Sequence, residues 1–401
     1  MRPLVISAGT AVSALGRGVA ATRNAMQQRR GGLVPCDFSG VTEGYMGRLA
    51  GVEDHKLPDH LHRFECRNNR LADMALNTDG FRQAVAQARA YYGAARIAVI
   101  MGTSTSGILS SEQAYARRDV EQGTMPPDFE QQYTQDLFSL PSYVAAALSL
   151  EGPCLTVSNA CASSSHAFLD AWHWIEAGVC DAAIVGGADS LCGMTLRGFG
   201  ALGLVDAQPT RPGDARRHGI SIGEAAGVAL VERAGVRPLS RCGEGYRASL
   251  LGCGASSDGH HMSAPDPQGR GAIAAMRQAL ARSGLAATEI DYINLHGTGS
   301  VANDVMEDKA VYSVFGDSVA CSSTKGWTGH TLGASGSLEA MICGICIQES
   351  LVPGGLNIEQ IDPGFRSRIM AHNTAKPVRF VMSNAFGFGG NNCSLVFGAA
   401  E

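Results

Sequence analysis

The sequence predicts an α/β fold with buried sheets. Three observations carry this: strand-length apolar runs that end in small residues, helix-period stretches between them, and a second half that repeats the order of the first. The N-terminal residues 1–9 run straight into a strand-like pattern and lack the long apolar core of a signal peptide. Residues 97–101 (IAVIM) stop at Gly102, and 155–158 (LTVS) stop at Asn159. A helix is expected over 163–177, with Phe168, Leu169, Trp172 and Ile175 on one side. Strands follow at 182–185, before Gly186 and Gly187, and at 226–231. The second half offers strands at 248–252, 291–295, 378–383 and 393–397. Residues 233–245, with Pro238, are the expected joint, giving halves of 1–240 and 241–401. In both halves a strand leads into a small-residue turn with a reactive side chain, then a helix. Residues 112–143 fit less well. They are polar around Met125, Pro126, Pro127 and Asp128, and read as an excursion near a partner or substrate entrance.

Composition narrows the class. Of 401 residues, 50 are glycine, about 12% against a usual ~7%. No G-x-y period accompanies them, so the excess points to tight turns and close backbone approaches. A net charge of −5 argues against a general nucleic-acid binder. No apolar run reaches the ~18 residues a spanning helix needs. The twelve cysteines are scattered through a long chain, unlike a secreted disulfide scaffold. We read a reduced, cytoplasmic protein.

Four segments carry chemistry. Cys161, in SNACASS, follows a strand and opens a helix, where the helix dipole favours a thiolate and lowers its pKa. The alternative is a buried structural cysteine. His296, in LHGTGS, stands in a glycine-flanked turn with little apolar packing, free to serve as a proton donor or acceptor, or held there by backbone hydrogen bonds. Lys325 and His330 lie five residues apart in a passage of small residues that leads into a helix, with Glu339 nine residues further on. The loop from Ser383 to Asn392, SNAFGFGGNN, allows close backbone approach, so its N–H groups could serve an oxyanion hole or form a plain hairpin.

These segments, in this order and spacing, resemble the β-ketoacyl-acyl-carrier-protein synthases of the type I/II, Cys-His-His group, over nearly the whole chain. Residues 211–214 (RPGD) and 219–227 (GISIGEAAG) resemble a run the family carries late in its N-terminal half. The resemblance implies a thiolase-like fold of two related α/β halves in five αβαβα layers, usually as a homodimer. It implies that Cys161 accepts the acyl chain and that His296 and His330 act on malonyl decarboxylation. Lys325 would order His330 and the local charges, with Glu339 behind it. The N–H groups of Cys161 and Phe388 would form the oxyanion hole, Phe388 would gate malonyl entry with Phe386 nearby, and Thr298 and Ser300 would contact the pantetheine arm of the acyl carrier protein. Bond formation would need no metal or organic cofactor, and covalent two-step catalysis would give ping-pong kinetics.

The chain departs from the pattern in places. Ser300 stands where the family often has Thr, and Asn391 where it often has Thr. Thr105, in the loop 102–107, takes the place of an apolar residue near the acyl pocket. A hydroxyl at the pocket wall would favour a polar, unsaturated or aromatic-ended chain, as in polyene or polyketide elongation, because an unpaired buried hydroxyl costs about 1–3 kcal/mol. A structural turn is the other reading of that loop. Arg63, Arg67 and Arg70, at helical spacing, resemble the family's docking face for the acidic carrier; a solvated surface is the alternative. A thiolase would carry a second catalytic Cys in the glycine loop, and an initiating synthase would have Asn in place of His330. A chain-length factor would lack the nucleophile, although such a subunit could pair with this chain in a heterodimer. Cys343 and Cys346 have C-x-x-C spacing but apolar neighbours, so a buried helix is expected, not a metal site. Asp258 with His260 and His261 reads as a loop.

Overall fold

The computed structural model describes residues 2–38, 40–41, 43–237 and 245–400. The division expected at 240/241 falls on 238–244, outside the described residues. Eleven strands form the path of one sheet: β1 (Leu4–Ser13), β2 (Ile97–Gly102), β3 (Cys154–Val157), β4 (Ala182–Asp189), β5 (Ala225–Arg233), β6 (Tyr246–Ser257), β7 (Tyr292–Asn294), β8 (Ala320–Ser322), β9 (Arg368–Ile369), β10 (Phe380–Gly387) and β11 (Asn391–Gly398). Their order is β9-β8-β7-β10-β11-β6-β1-β5-β4-β2-β3.

The path contains one arrangement twice. Taking β1 to β5 as the strands of one half, their spatial order is third, second, fourth, fifth, first. Taking β6, β7, β8, β10 and β11 as the strands of the other gives the same order. In both, the second strand is parallel to its two neighbours. The fifth is antiparallel to the fourth and the first. The halves join where β1 and β6 pair antiparallel, with Leu4 opposite Leu250.

Eight helices matter for the site: α1 (Arg67–Leu76), α2 (Ile108–Ala116), α3 (Ser139–Leu148), α4 (Ser163–Glu176), α5 (Gly193–Ala201), α6 (Arg270–Ser283), α7 (Val301–Phe315) and α8 (Ser335–Glu349). The layers follow from the period of two along each strand. On β2, Ala98 and Ile100 face one core, while Ile97, Val99 and Met101 face another. The first core lies between the two half-sheets and holds Phe168 and Ile175 of α4 with Leu338, Met341 and Ile345 of α8. The second carries α1 and α3 outside the first half. A third core carries α6 and α7 outside the second half, with Ile293 and Met382 turned to it and Tyr292 and Val381 turned inward. The result is five layers, helix–sheet–helix–sheet–helix.

Helix α8 is buried from Ser335 to Cys346, so its apolar character runs all the way round. Cys343 and Cys346 belong to that helix, as expected. Among the described residues no helix is long and apolar enough to cross a membrane.

Small residues set the contact between α4 and α8. The Ser337 N–H donates to Ser164 Oγ at 3.0 Å. A Cβ added to Gly336 would strike the Ser165 hydroxyl and lie 2.6 Å from the Ser165 backbone nitrogen. Gly336→Ala is therefore expected to lower stability by about 1–3 kcal/mol through overpacking. Chemical denaturation measures this, and an unchanged midpoint would mean that the two helices separate freely.

Candidate active site

Cys161 sits in the short 3-10 turn Ala160–Ala162 between β3 and α4. Ala160 is held at φ 47°, a left-handed conformation that side chains avoid, and this turns the chain sharply enough to present the sulfur. The turn is braced from three sides. Ser163 Oγ donates to the Ala160 carbonyl at 2.5 Å, Ser104 Oγ donates to the same oxygen at 3.0 Å, and Asn159 N–H donates to Ser163 Oγ at 3.0 Å. The N–H groups of Phe388 and of Cys161 itself point at the sulfur.

His330 follows the turn Lys325–Thr328. Its backbone forms an isolated parallel bridge with Ile222. Its N–H donates to the Ser221 carbonyl at 2.7 Å, and its carbonyl accepts from Gly223 at 2.9 Å. Its Nε2 lies 3.0 Å from Cys161 Sγ. The Leu332 N–H points at Nδ1, 3.3 Å away, so Nδ1 is the acceptor and Nε2 carries the proton aimed at the sulfur. Ser335 Oγ is 3.1 Å from the same Nδ1.

His296 follows β7. Its N–H and that of Gly297 donate to the two oxygens of Glu307 at 2.8 and 2.7 Å, which fixes the turn to α7. Burial pushes the Glu307 carboxyl up to about 7 against those two N–H groups. The imidazoles of His296 and His330 stand 5.4 Å apart, centre to centre, at 84°. Burial and the Lys325 charge hold both well below the ordinary imidazole range, so both are neutral at neutral pH.

Lys325 is buried, with its Nζ 2.5 Å from Glu339 Oε1. It acts on both imidazoles and on the thiol through its charge. The sulfur and the two imidazoles offer ligand atoms within 4.8 Å of one another, a spacing that would suit zinc. A fixed ammonium close by and N–H groups directed at the sulfur oppose a dication and favour an anion.

One cavity of about 230 Å³ joins these groups. Cys161, His296, His330, Phe386, Phe388, Thr298 and Ser300, all expected at the site, line it. Thr298 Oγ1 and Ser300 Oγ are 3.0 Å apart. The Phe386 ring stands 6.0 Å from His296. Phe388 lies 5.7 Å from Phe199, and the Gly389 N–H donates to the Met262 carbonyl at 2.8 Å. Asn392 Nδ2 donates to Asp258 Oδ1 at 2.8 Å, tying the glycine loop to the segment after β6. Phe199, Leu204, Ile220, Asp258 and Asn303 also line the cavity, as do Ser263, Ala264, Pro265 and Ala302, and were not expected there. Only Asp258 had a visible signal, its neighbouring histidines, and it acts as a loop tie.

Three expectations are corrected. Thr105 does not line the cavity; its hydroxyl and N–H both donate to Asp189 Oδ1 at 2.8 Å. Its hydroxyl is satisfied internally and is not the unpaired buried hydroxyl on which the expected chain preference rested. The three arginines do not share a helix face. Arg63 belongs to the 3-10 turn Asp59–Phe64 and stacks 4.1 Å over Tyr133, while Arg67 opens α1. Arg67 grips the fully buried Glu224 through two bonds of 2.8 and 2.6 Å and reaches Glu53 at 2.6 Å. Arg70 pairs with Glu65. Arg67 and Arg70 are thus committed to the fold. Thirdly, burial raises the Cys161 thiol to about 11, despite its place before α4. Desolvation outweighs Lys325 and the Phe388 N–H.

Known proteins resemble this chain over most or all of its length. The family described as "Beta-ketoacyl synthase, N-terminal domain" matches residues 52–236, and "Beta-ketoacyl synthase, C-terminal domain" matches 247–359. Nodulation protein E of Rhizobium meliloti (strain 1021) is 33% identical over 99% of both chains. The 3-oxoacyl-[acyl-carrier-protein] synthase 2 of the same organism is 34% identical over 81% of this chain and 78% of its own. A solved ketosynthase in complex with its chain length factor, from Xenorhabdus doucetiae, superposes with a TM-score of 0.89 at 38% identity, covering 100% of this chain and 98% of that one.

A thiol near 11 makes a prediction. Alkylation of Cys161 by iodoacetamide should rise about tenfold per pH unit between pH 7 and 9, because only the thiolate reacts. Site-resolved mass spectrometry reads the rate, and a plateau near neutral pH would show a thiolate already formed.

Proposed function

The chain belongs to the β-ketoacyl synthase family and is an acyltransferase that condenses an acyl chain with a malonyl unit held on acyl carrier protein; we propose that Cys161, His296, His330 and Lys325 are the groups that do so. The observation that carries this assignment is the 3.0 Å approach of His330 Nε2 to Cys161 Sγ in a cavity shared with His296.

In the first step Cys161 sulfur attacks the carrier-bound thioester carbonyl. The N–H groups of Cys161 and Phe388 receive the developing oxyanion, the carrier thiolate leaves, and it takes the proton that Cys161 gave up. The high thiol pKa calls for thiolate stabilisation at that moment, and the Nε2–H of His330 is aimed to supply it. In the second step malonyl-carrier enters past Thr298 and Ser300. The two neutral imidazoles donate to its thioester oxygen, so carbon dioxide departs and leaves an enolate. Neutral rings suit this role, since each keeps a donor without needing to be charged. The enolate carbon attacks the acyl-Cys161 carbonyl, the carbon–sulfur bond breaks to free the β-ketoacyl-carrier, and the departing thiolate takes a proton from solvent to restore the resting thiol. Lys325, held by Glu339, adds positive charge near each anionic stage.

We read the described surface as incomplete without a second subunit. β3 is an edge strand paired only with β2 in the sheet path, and it leads directly to Cys161. Beside it the polar excursion exposes Met125, Leu137 and Phe138, with Tyr115 and Met194 close in the fold. Such a strand and apolar surface suit an isologous or near-isologous partner. The likeness to a ketosynthase held by its chain length factor supports a heterodimer in secondary metabolism as the second reading. Arg63, exposed at the surface, is the remaining arginine offered to an acidic carrier. A cytoplasmic setting fits the scattered free thiols.

Intact-mass measurement tests the assignment. Acyl-carrier should load one acyl group on wild-type protein, and malonyl-carrier should discharge it. Cys161→Ala should load none. His296→Ala should load normally but discharge about 100-fold or more slowly, as expected for loss of a group that stabilises developing charge. Normal discharge by His296→Ala would remove the decarboxylation role.

The subunit question is separable. Light scattering of the chain alone is expected to give a dimer if it pairs with itself. A monomer that loads acyl groups only after a chain-length-factor-like subunit is added would establish the heterodimer.

A further inference from the structure

We infer that Asp189 is a positioning residue, a buried carboxylate that clamps the Cys161 turn and the His330 turn into register across the two halves. This rests on the reading of Cys161 and His330 given above. Asp189 ends β4, is completely buried, and does not line the cavity. Among the described residues it has no ion-pair partner within 4 Å; its neighbours are dipoles. On one side the loop after β2 supplies four donors to Oδ1: Thr103 Oγ1 at 2.7 Å, Ser104 N–H at 2.9 Å, and Thr105 N–H and Oγ1 at 2.8 Å each. On the other side Gly333 N–H donates to Oδ2 at 2.5 Å from 144 residues away. Burying an unpaired carboxylate is costly unless its hydrogen bonds are met in full, so this geometry is tightly determined.

Each contact lies one step from a reacting group. Ser104, held by Asp189, donates its hydroxyl to the Ala160 carbonyl in the strained turn before Cys161. Gly333 adjoins Leu332, whose N–H fixes the His330 tautomer and whose φ of 52° is itself strained. Gly333 also leaves no room for a side chain, because a Cβ there would lie 2.7 Å from Asp189 Oδ2 and 2.8 Å from Ser104 Oγ. The carboxylate therefore sets the distance between Nε2 and the sulfur without touching substrate.

Asp189→Asn separates positioning from charge. The amide oxygen can keep the Thr103–Thr105 loop, but the amide NH₂ would face the Gly333 N–H, donor against donor. Removing only the negative charge would ease thiolate formation and speed alkylation of Cys161. Loosening the His330 turn would withdraw the donor from the sulfur and slow it. We expect D189N to slow iodoacetamide alkylation at pH 8 about threefold or more, and to lower kcat for malonyl decarboxylation about tenfold with KM within about twofold. T103V deletes one of the five donors to the same carboxylate, and the acceptor of the Ser106 N–H, but keeps the charge and the Gly333 bond, so both rates should fall clearly less than in D189N. Alkylation unchanged or faster in D189N, or equal losses in T103V and D189N, would overturn the inference. The alkylation arm needs no carrier. A wild-type protein that neither loads nor decarboxylates would defeat the condensing assignment, while alkylation would still decide the clamp.

Discussion

The contact between α4 and α8 is the constraint on which the site depends. Both helices lie in the middle layer, between the two half-sheets, and each begins at a reacting group. Where Gly336 meets Ser165 and Ser337 meets Ser164, the helix starts are as close as backbone allows. Any bulk there would push the starts apart, and the 3.0 Å between Cys161 and His330 would be lost with them. A high glycine and serine content at these turns is thus a geometric need of the chemistry, not only a feature of loops.

Burial then decides the electrostatics. The same closeness removes water from Cys161, His296, His330, Lys325 and Glu339 together. Desolvation drives thiol and imidazoles toward their neutral forms, and the buried Lys325 ammonium is held by the buried Glu339 carboxylate. A resting site of this kind carries little net charge. It is arranged with N–H and Nε2–H dipoles pointing at the places where anions form, which is where fixed dipoles are most effective. A resting thiol near 11 is compatible with reactivity only because those dipoles act on the thiolate as it forms.

Much of this was legible in the sequence because the chemistry is local. Cys161, His296, Lys325 and His330 each stand just past a strand among small residues, a pattern that survives without knowing the fold. The alternation of strands and helices pointed to the α/β class. What the sequence could not show was which side of a residue faces inward. The spacing of Arg63, Arg67 and Arg70 is helical, yet a break at Glu65–Cys66 and the pull of buried Glu224 turn Arg67 into the fold. Thr105 lies near the site in sequence terms, but a carboxylate 84 residues away claims its hydroxyl. Helix position argued for an acidic thiol, and only three-dimensional burial reverses that sign. Phe199, Leu204 and Ile220 reach the cavity from segments whose local pattern is ordinary apolar packing.

The repeated topology explains why the site is asymmetric. Cys161 follows the third strand of its half and precedes α4; His330 follows the third strand of the other half and precedes α8. They are counterparts in the duplication, facing each other across the middle layer. The loops after the second strands are counterparts too: one carries Thr103 to Thr105, the other His296. So are the ends of the fourth strands, Asp189 on one side and the Phe386–Phe388 passage on the other. On the reading proposed above, one half supplies the nucleophile and spends its second loop and fourth-strand end on holding it in place. On the same reading the other spends these positions on a proton-donating pair and an N–H group for the oxyanion. A reaction with two unlike steps needs two unlike sets of groups at one point, and a duplicated fold with its equivalent turns brought face to face provides them.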